Sequence, residues 1–418
     1  MYEKITLPNG VRILYENIPY VRSVSLGIWV GCGSRYESFA ENGASHFIEH
    51  MVFKGTSTRT AFDIANMMDS IGGQINAFTT KECTCFYGHV LDTHLRQLSD
   101  VLSDMFYNSK FDEADVEGER GVIFEEIDMY EDSPEDLVSE RLISSVFKGS
   151  SLSRPILGKK QTLSKMTGQS LKKYMQEHYG AESTVIALCG NFTKDDIAYL
   201  CDKFSEIAAA KKSKVKTALY KPEFVTKKKR IEQNHICFGF PGISISDDIK
   251  YAMQLCSSIL GGGMSSRLFQ TVREEHGLCY SVYSFGTSYI DTGMLGIYTA
   301  LSGETEEQAI KVILDVLKRF RDDGVTDDEL CRAREQVKAN VLMSLESTNA
   351  RMNRLGRNEL FLGKIPEPEE IIAIYNGITK EDIRRAVTLS IDFEKMSLSA
   401  VGKVKSEDNY RELIAKCI

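Results

Sequence analysis

Two histidines four residues apart, His46 and His50, with Glu49 immediately before the second, are the residues of this chain whose types and spacing are best suited to chemistry. On a helix a step of four returns to the same face, so both imidazoles can reach one metal ion while Glu49 projects beside them. A catalytic zinc ordinarily takes three protein ligands and leaves its fourth position to water, whose pKa it lowers to about 7. A carboxylate near that water can act as general base. The order His-x-x-Glu-His reverses the commoner His-Glu-x-x-His arrangement. Two imidazoles are one ligand short, so the test of a metal site is a third donor from elsewhere in the chain. Without it, the alternative is a helix with two surface histidines.

Phe111 to Ile127 opens with acids and continues with apolar residues at helical spacing, which predicts a helix. Glu119 and Glu126 stand two turns apart and share a face of it, whereas Glu125 lies about 100° round from Glu126. The two segments together resemble the pitrilysin family of zinc peptidases, the inverzincins, which includes insulysin and the mitochondrial processing peptidases. In that family a glutamate ligand follows the His-x-x-Glu-His motif at a distance matched here by Glu126, 76 residues after His50 (126 − 50). A second family glutamate stands where Glu119 stands, 7 residues before Glu126 (126 − 119). The resemblance implies His46, His50 and Glu126 as ligands of one Zn2+ per chain and Glu49 as general base. It implies for Glu119 the part of an acid that orients a ligand or the base.

Gly72 to Tyr87 is a glycine turn followed by β-branched and aromatic residues, which predicts a strand. Asn76, Ala77, Phe78 and Thr79, with Glu82, resemble the family's Asn-Ala-x-Thr-x-x-Glu stretch, its substrate-binding edge strand. An edge offers unpaired backbone groups to an extended peptide, so contacts at Asn76, Ala77 and Phe78 with broad specificity for unfolded peptides are implied. In the second half Arg273 and Tyr280, seven apart, match a further family element. The resemblance implies that Arg273 grips a substrate carbonyl through its fork and that Tyr280 hydrogen-bonds the developing oxyanion. The run Gly261 to Gly263 lacks the Lys-Ser/Thr of a phosphate-cradling loop, which excludes nucleotide binding there.

These residues must be positioned by a chain of 418 residues, 42% hydrophobic and 26% charged, which exceeds a single core and predicts two globular domains. An internal repeat supports the division. Val24 to Ser34 resembles His235 to Ile245, the His46 helix has a counterpart near Leu255 to Leu268, and Asp112 to Ile127 echoes Asp327 to Leu342 at a shift of 215 (327 − 112). That shift carries Glu119 to Arg334 and Glu126 to Val341, so the second copy lacks a metal site. The expected fold is α+β: two homologous domains, each an antiparallel-rich mixed β-sheet flanked by helices, together forming half of a clamshell. The expected boundaries are 1–210 for the metal-binding domain, 211–229 for a solvated linker and 230–418 for a metal-free domain carrying the Arg/Tyr element.

A chain of this size resembles one half of the family's closed chamber. The resemblance therefore implies a homodimer in which Arg273 and Tyr280 of one protomer complete the zinc site of the other, acting on peptides small or unfolded enough to enter. With 51 basic against 59 acidic residues, nucleic acid is not an expected partner. No apolar run approaches the roughly 18 residues of a membrane span, and the N-terminus enters a strand pattern directly. Ten scattered cysteines without paired zinc spacing suit a reducing compartment, so a cytoplasmic protein is expected. A second class of function, a non-catalytic scaffold or peptide-binding subunit of the same fold, would predict eroded ligands, and here His46, Glu49, His50 and Glu126 all remain.

Overall fold

Runs rich in Val, Ile and aromatic residues build two β-sheets in the computed structural model, which describes residues 2–210 and 215–418. The first contains β1 (Glu3–Thr6), β2 (Arg12–Asn17), β3 (Ser23–Val30), β4 (Gln74–Thr79), β5 (Thr84–Leu91) and β6 (Thr184–Gly190), in the order β1-β2-β6-β3-β5-β4. The second contains β7 (Phe224–Lys228), β8 (Gln233–Pro241), β9 (Cys279–Ser288), β10 (Gly293–Ser302) and β11 (Ser397–Gly402), in the order β7-β11-β8-β10-β9. With β1 set aside, the two orders correspond strand for strand. Each sheet has its one parallel pair, β2 with β6 or β7 with β11, at the same place, and every other pair is antiparallel. The duplication legible in the sequence is thus a duplication of topology.

The central strands explain why the sheets form. β3 and β6 are buried along almost their whole length, the environment that selects near-continuous apolar runs. Their side chains alternate between faces: Leu26, Ile28, Ile186 and Leu188 enter one apolar cluster, while Trp29, Val185 and Ala187 enter another on the opposite side. All ten cysteines are free, and Cys83 and Cys85 share the second of these clusters. Among the described residues no helix is long and apolar enough to cross a membrane.

The chain forms two compact units that are not contiguous in sequence. One comprises Met1–Ile127, Arg154–Lys216 and Leu342–Glu367; the other comprises Asp128–Ser153, Thr217–Val341 and Pro368–Ile418. This differs from the linear division at 1–210 and 230–418 in two segments. The helix Pro134–Val146 packs on β8 and β11 of the second unit, and its counterpart Thr348–Leu362 packs on β3 and β6 of the first. Each repeat therefore covers the sheet of the other with one helix. The stretch 211–229 also differs from a solvated linker, because Phe224–Lys228 pairs with β11 and both Ala218 and Phe224 are buried. Its lysines disguise a sheet edge: Lys227 and Lys229 form ion pairs with Glu131 and Asp132. Lys211 to Lys214 lie outside the described residues.

The exchanged helix Thr348–Leu362 is held on the first sheet by polar contacts and close approach. Glu359, itself buried, takes Lys4 at 2.6 Å and Arg12 at 3.3 Å, and buried Glu16 pairs with Arg351 and, at 3.6 Å, with Arg354. Removing one partner of such a pair leaves an uncompensated charge in the interior. Trp29 Nε1 donates to Met352 Sδ at 3.4 Å, and the indole lies so near Gly356 that a Cβ there would stand 2.3 Å from Nε1. Gly356→Ala should therefore overpack this contact and cost about 1–3 kcal/mol of stability. Trp29 is the only tryptophan of the chain, so its fluorescence during denaturant unfolding reports the change directly. An unshifted midpoint would show that the helix has room to move.

Candidate metal centre

Ala44–Met51 is a helix of only 8 residues, too short to persist alone, so its surroundings must fix it. Phe47, Ile48 and Met51 are buried in the main cluster of the first unit and set its rotation. Its N-terminus is closed by a side chain from outside the helix. The buried Glu37 carboxylate accepts from Gly43 N at 2.8 Å, Ser45 N at 2.9 Å and Asn42 Nδ2 at 3.0 Å. Burial pushes the Glu37 carboxyl up to about 7, against the pull of these donors. Gly43, at φ 100°, supplies the left-handed turn from which the helix starts.

The facing helix, Glu113–Asp132, buries Val116, Glu119 and Ile123, a stripe that continues one step on to half-buried Glu126. Acids in its first turn complement the helix dipole, and Glu113 also accepts from Gly168 N at 2.9 Å. The stripe meets the short helix rung by rung. Glu126 Oε2 lies 3.5 Å from His46 Nε2 and 3.6 Å from His50 Nε2, and Glu119 Oε2 lies 3.1 Å from His50 Nδ1. Residue numbers rise along one helix as they fall along the other, so the two run antiparallel.

One ligand atom from each of His46, His50 and Glu126 lies within 4.8 Å of the others. A tetrahedral zinc with bonds of about 2.0–2.1 Å needs donors about 3.3–3.4 Å apart, close to the two measured separations. Those separations exceed a hydrogen bond, and Glu126 Oε2 is buried without a partner among the described residues. A carboxylate oxygen left bare between two imidazole nitrogens is what a divalent cation would satisfy, so the residues fit zinc. Burial pushes His46 down to about 4, which keeps its lone pair available near neutrality. His50 and then His46 hold Glu126 below the usual carboxylate range. For His50 burial pulls down, but Glu126 and Glu119 outweigh it and the net shift is upward. The second ring nitrogen of His50 faces Glu119, whereas buried His46 Nδ1 has no partner among the described residues.

Glu49 points to a different element. Its Oε2 accepts from Thr79 Oγ1 at 2.5 Å, at the end of β4, and burial raises its pKa. β4 pairs with β5 on one side only and forms the outer edge of the sheet. On it Asn76 is exposed and folds its Oδ1 back onto Ala77 N at 2.8 Å; Ala77 is half-buried, and Phe78 meets Trp29 edge-on at 5.4 Å. Arg273 and Tyr280 belong to the second unit and stand together there. The Arg273 guanidinium lies 4.6 Å from the ring of Phe269 and 4.6 Å from that of Tyr280, in a π-helical segment, Phe269–Glu275. Tyr280, on β9 at the outer edge of the second sheet, is 74% exposed.

Sequence reasoning passed over three residues that the structure adds: Glu37, Thr79 and Lys54. Thr79 belongs to the Asn-Ala-x-Thr-x-x-Glu stretch, whose resemblance assigns it no part of its own. Lys54 lies one further step of four beyond His50, a spacing that was already in use for the histidines.

Fold and site together define a duplicated α+β protein whose His-His-Glu group, among the described residues, lies in the first repeat alone. Residues 12–160 match the family model for insulinase (peptidase family M16), and residues 165–337 match that of the M16 inactive domain. An uncharacterized zinc protease of Bacillus subtilis, YmxG, is 46% identical over 92% of this chain and 94% of its own length. Another, from Streptomyces coelicolor, is 38% identical over 98% and 91%. Among solved structures, an M16 inactive-domain protein from Pseudomonas fluorescens superposes with a TM-score of 0.90 over 97% of this chain and 99% of its own, at 20% identity. A protease from Helicobacter pylori gives 0.89 over 96% and 99%, at 18% identity. The chain belongs to the insulinase, or M16, peptidase family.

Glu126→Gln keeps the side chain's shape and removes its charge. Zinc affinity should fall by more than the roughly 10–100-fold typical of an outer-shell change. Glu125→Gln, altering an exposed neighbour, should leave it unchanged. Metal content measured after dialysis against limiting zinc separates the two; equal content in Glu126→Gln and the unaltered protein would remove Glu126 from the ligand set.

Proposed function

We propose that this chain is a zinc-dependent metalloendopeptidase hydrolysing unfolded oligopeptides, with His46, His50 and Glu126 holding one zinc and Glu49 acting as general base. The observation that carries the proposal is the convergence of those three donor atoms within 4.8 Å, two of them from the short helix that also bears Glu49 and the third from the facing helix Glu113–Asp132. Relatives named zinc proteases, similar over nearly the whole chain, support it.

Zinc, when bound, supplies Lewis acidity toward a carbonyl and lowers the pKa of water to about 7. The chain's own residues do the rest. Thr79 holds one oxygen of Glu49, leaving the other to take a proton from the attacking water and pass it to the departing amine. Burial raises the Glu49 pKa, the direction that lets it keep the proton between those two transfers. An extended peptide adding to β4 beside Asn76, Ala77 and Phe78 would gain main-chain hydrogen bonds with little dependence on sequence. Glu119 orients His50.

Arg273 and Tyr280 complete this scheme in trans, within a homodimer. The guanidinium fork binds a substrate carbonyl and the exposed phenol donates to the oxyanion as charge develops. The stacked Phe269–Arg273–Tyr280 arrangement supports this assignment, because it holds the guanidinium in a set direction. Ten free cysteines favour a cytoplasmic site of action.

Glu49→Gln should abolish cleavage of a mixed peptide library while zinc content stays at that of the unaltered protein, since it removes the base and no ligand. Retained cleavage would take Glu49 out of the mechanism. Mixing inactive Glu49→Gln chains with Tyr280→Phe chains should restore activity through hybrid dimers, read as peptide turnover after subunit exchange. No recovery from chains shown to exchange would place both elements within one protomer.

A further inference from the structure

The row of residues that faces the Glu113–Asp132 helix does not end at His50. Beyond Met51 the chain keeps winding for three residues: Val52 N donates to Ile48 O, Phe53 N to His50 O and Lys54 N to Met51 O. Lys54 is thereby carried one turn past His50 onto the face that bears His46 and His50. Gly55, at φ 116°, then reverses the chain, and Lys110 N donating to Gly55 O ties that reversal down. On the opposite helix the two acids fall into the same register. Glu126 spans His46 and His50, and Glu119 spans His50 and Lys54, with Lys54 Nζ at 2.5 Å from Oε1 and His50 Nδ1 at 3.1 Å from Oε2.

We infer that Lys54 is a positioning residue of the metal centre, fixing the Glu119 carboxylate so that it accepts from His50 Nδ1 and turns Nε2 of that ring toward the metal. The inference rests on the metal centre proposed above and adds a residue to it. Glu119 is almost wholly buried, with 10% of its side chain exposed, and a carboxylate in that position needs a partner. His50, when it ligates a metal, is a neutral ring offering one N–H, which leaves Lys54 as the cation that Glu119 contacts. The ammonium also selects geometry. By occupying Oε1 it leaves Oε2 to the imidazole, so the carboxylate has one orientation in place of two. A ring held through its Nδ1–H presents Nε2 as a ligand in a set direction, which raises metal affinity without touching the metal. Lys54 itself is partly open to solvent, with 36% of its side chain exposed, so replacing it removes the pair without emptying the core.

The test is zinc affinity of the purified full-length chain, measured by competition with a chromophoric chelator, for the unaltered protein, Lys54→Met, Lys54→Arg, Glu119→Gln and the double variant. Lys54→Met should bind zinc about tenfold more weakly, and Lys54→Arg, which restores the charge, should recover most of the loss. In the Glu119→Gln background the Lys54→Met change should have no further effect, because Lys54 acts through that carboxylate. Thermal melting of the zinc-free proteins runs in parallel. A lowered melting temperature with unchanged zinc affinity would make Lys54 a structural residue only and overturn the inference. So would a loss of affinity that persists undiminished beside Glu119→Gln. An unaltered chain that takes up no zinc would instead sink the metal centre itself, and this inference with it.

Discussion

A carboxylate oxygen buried between two imidazole nitrogens, with no hydrogen-bond donor among the described residues to satisfy it, is the constraint around which the first unit is organised. An unsatisfied buried polar atom costs about 1–3 kcal/mol, and among the described residues the centre holds a second in His46 Nδ1. A fold keeps such atoms only where its packing leaves them no alternative. Both helices that present them are pinned from outside: the short one by the Glu37 cap and by Phe47, Ile48 and Met51, the long one by Val116, Ile123 and the contact of Glu113 with Gly168. Neither can rotate to relieve Glu126 without exposing part of the largest apolar cluster in the unit.

The second repeat places different chemistry at the corresponding positions. At the place corresponding to Glu119 stands Arg334, whose guanidinium donates to Ile378 O; at that of Glu126 stands Val341, half-buried against the apolar cluster of the second unit. Where the first repeat has acids, the second has a backbone clamp and hydrophobic packing, neither of which puts a carboxylate in the interior. The topology is shared nonetheless, since with β1 set aside strand order and sense correspond across the two sheets. The exchanged helices differ in character too. Thr348–Leu362 is fastened to the first sheet by two buried acids and their cations, while Pro134–Val146 sits on the second over an apolar cluster with Leu137, Val138 and Leu142.

Local spacing made some of this legible in the sequence, and long-range pairing hid the rest. His46, Glu49 and His50 could be read directly because one helix turn fixes their relation. Glu126 could not be found from spacing within its own helix; the separation between motifs, matched to a known family, singled it out. The repeat was visible because both copies kept their apolar periodicity. The exchange of helices was not, since nothing in Pro134–Val146 or Thr348–Leu362 states which of two similar sheets will receive its apolar face. β7 was missed for a related reason: Lys227 to Lys229 read as solvated charge until the acids that pair with them, nearly a hundred residues earlier, came into view. Lys54 escaped notice because the motif stops at His50 although the winding of the backbone does not.

One short helix carries His46, His50 and Glu49, and it sorts them by direction. His46 and His50 lie within about 40° of each other and face the Glu113–Asp132 helix, while Glu49, roughly 100° round from His50, faces β4. The two imidazoles and the Glu49 carboxylate are thus fixed to one another by one helix, and Glu49 is tied to the sheet edge by the hydroxyl of Thr79. A peptide lying along β4 would be registered against Glu49 through the strand itself. Sites built on helices and strands hold their geometry more closely than sites built on loops. In the reading proposed above, the β4 edge would bind backbone irrespective of side chain, and Thr79 would set where along that backbone Glu49 stands.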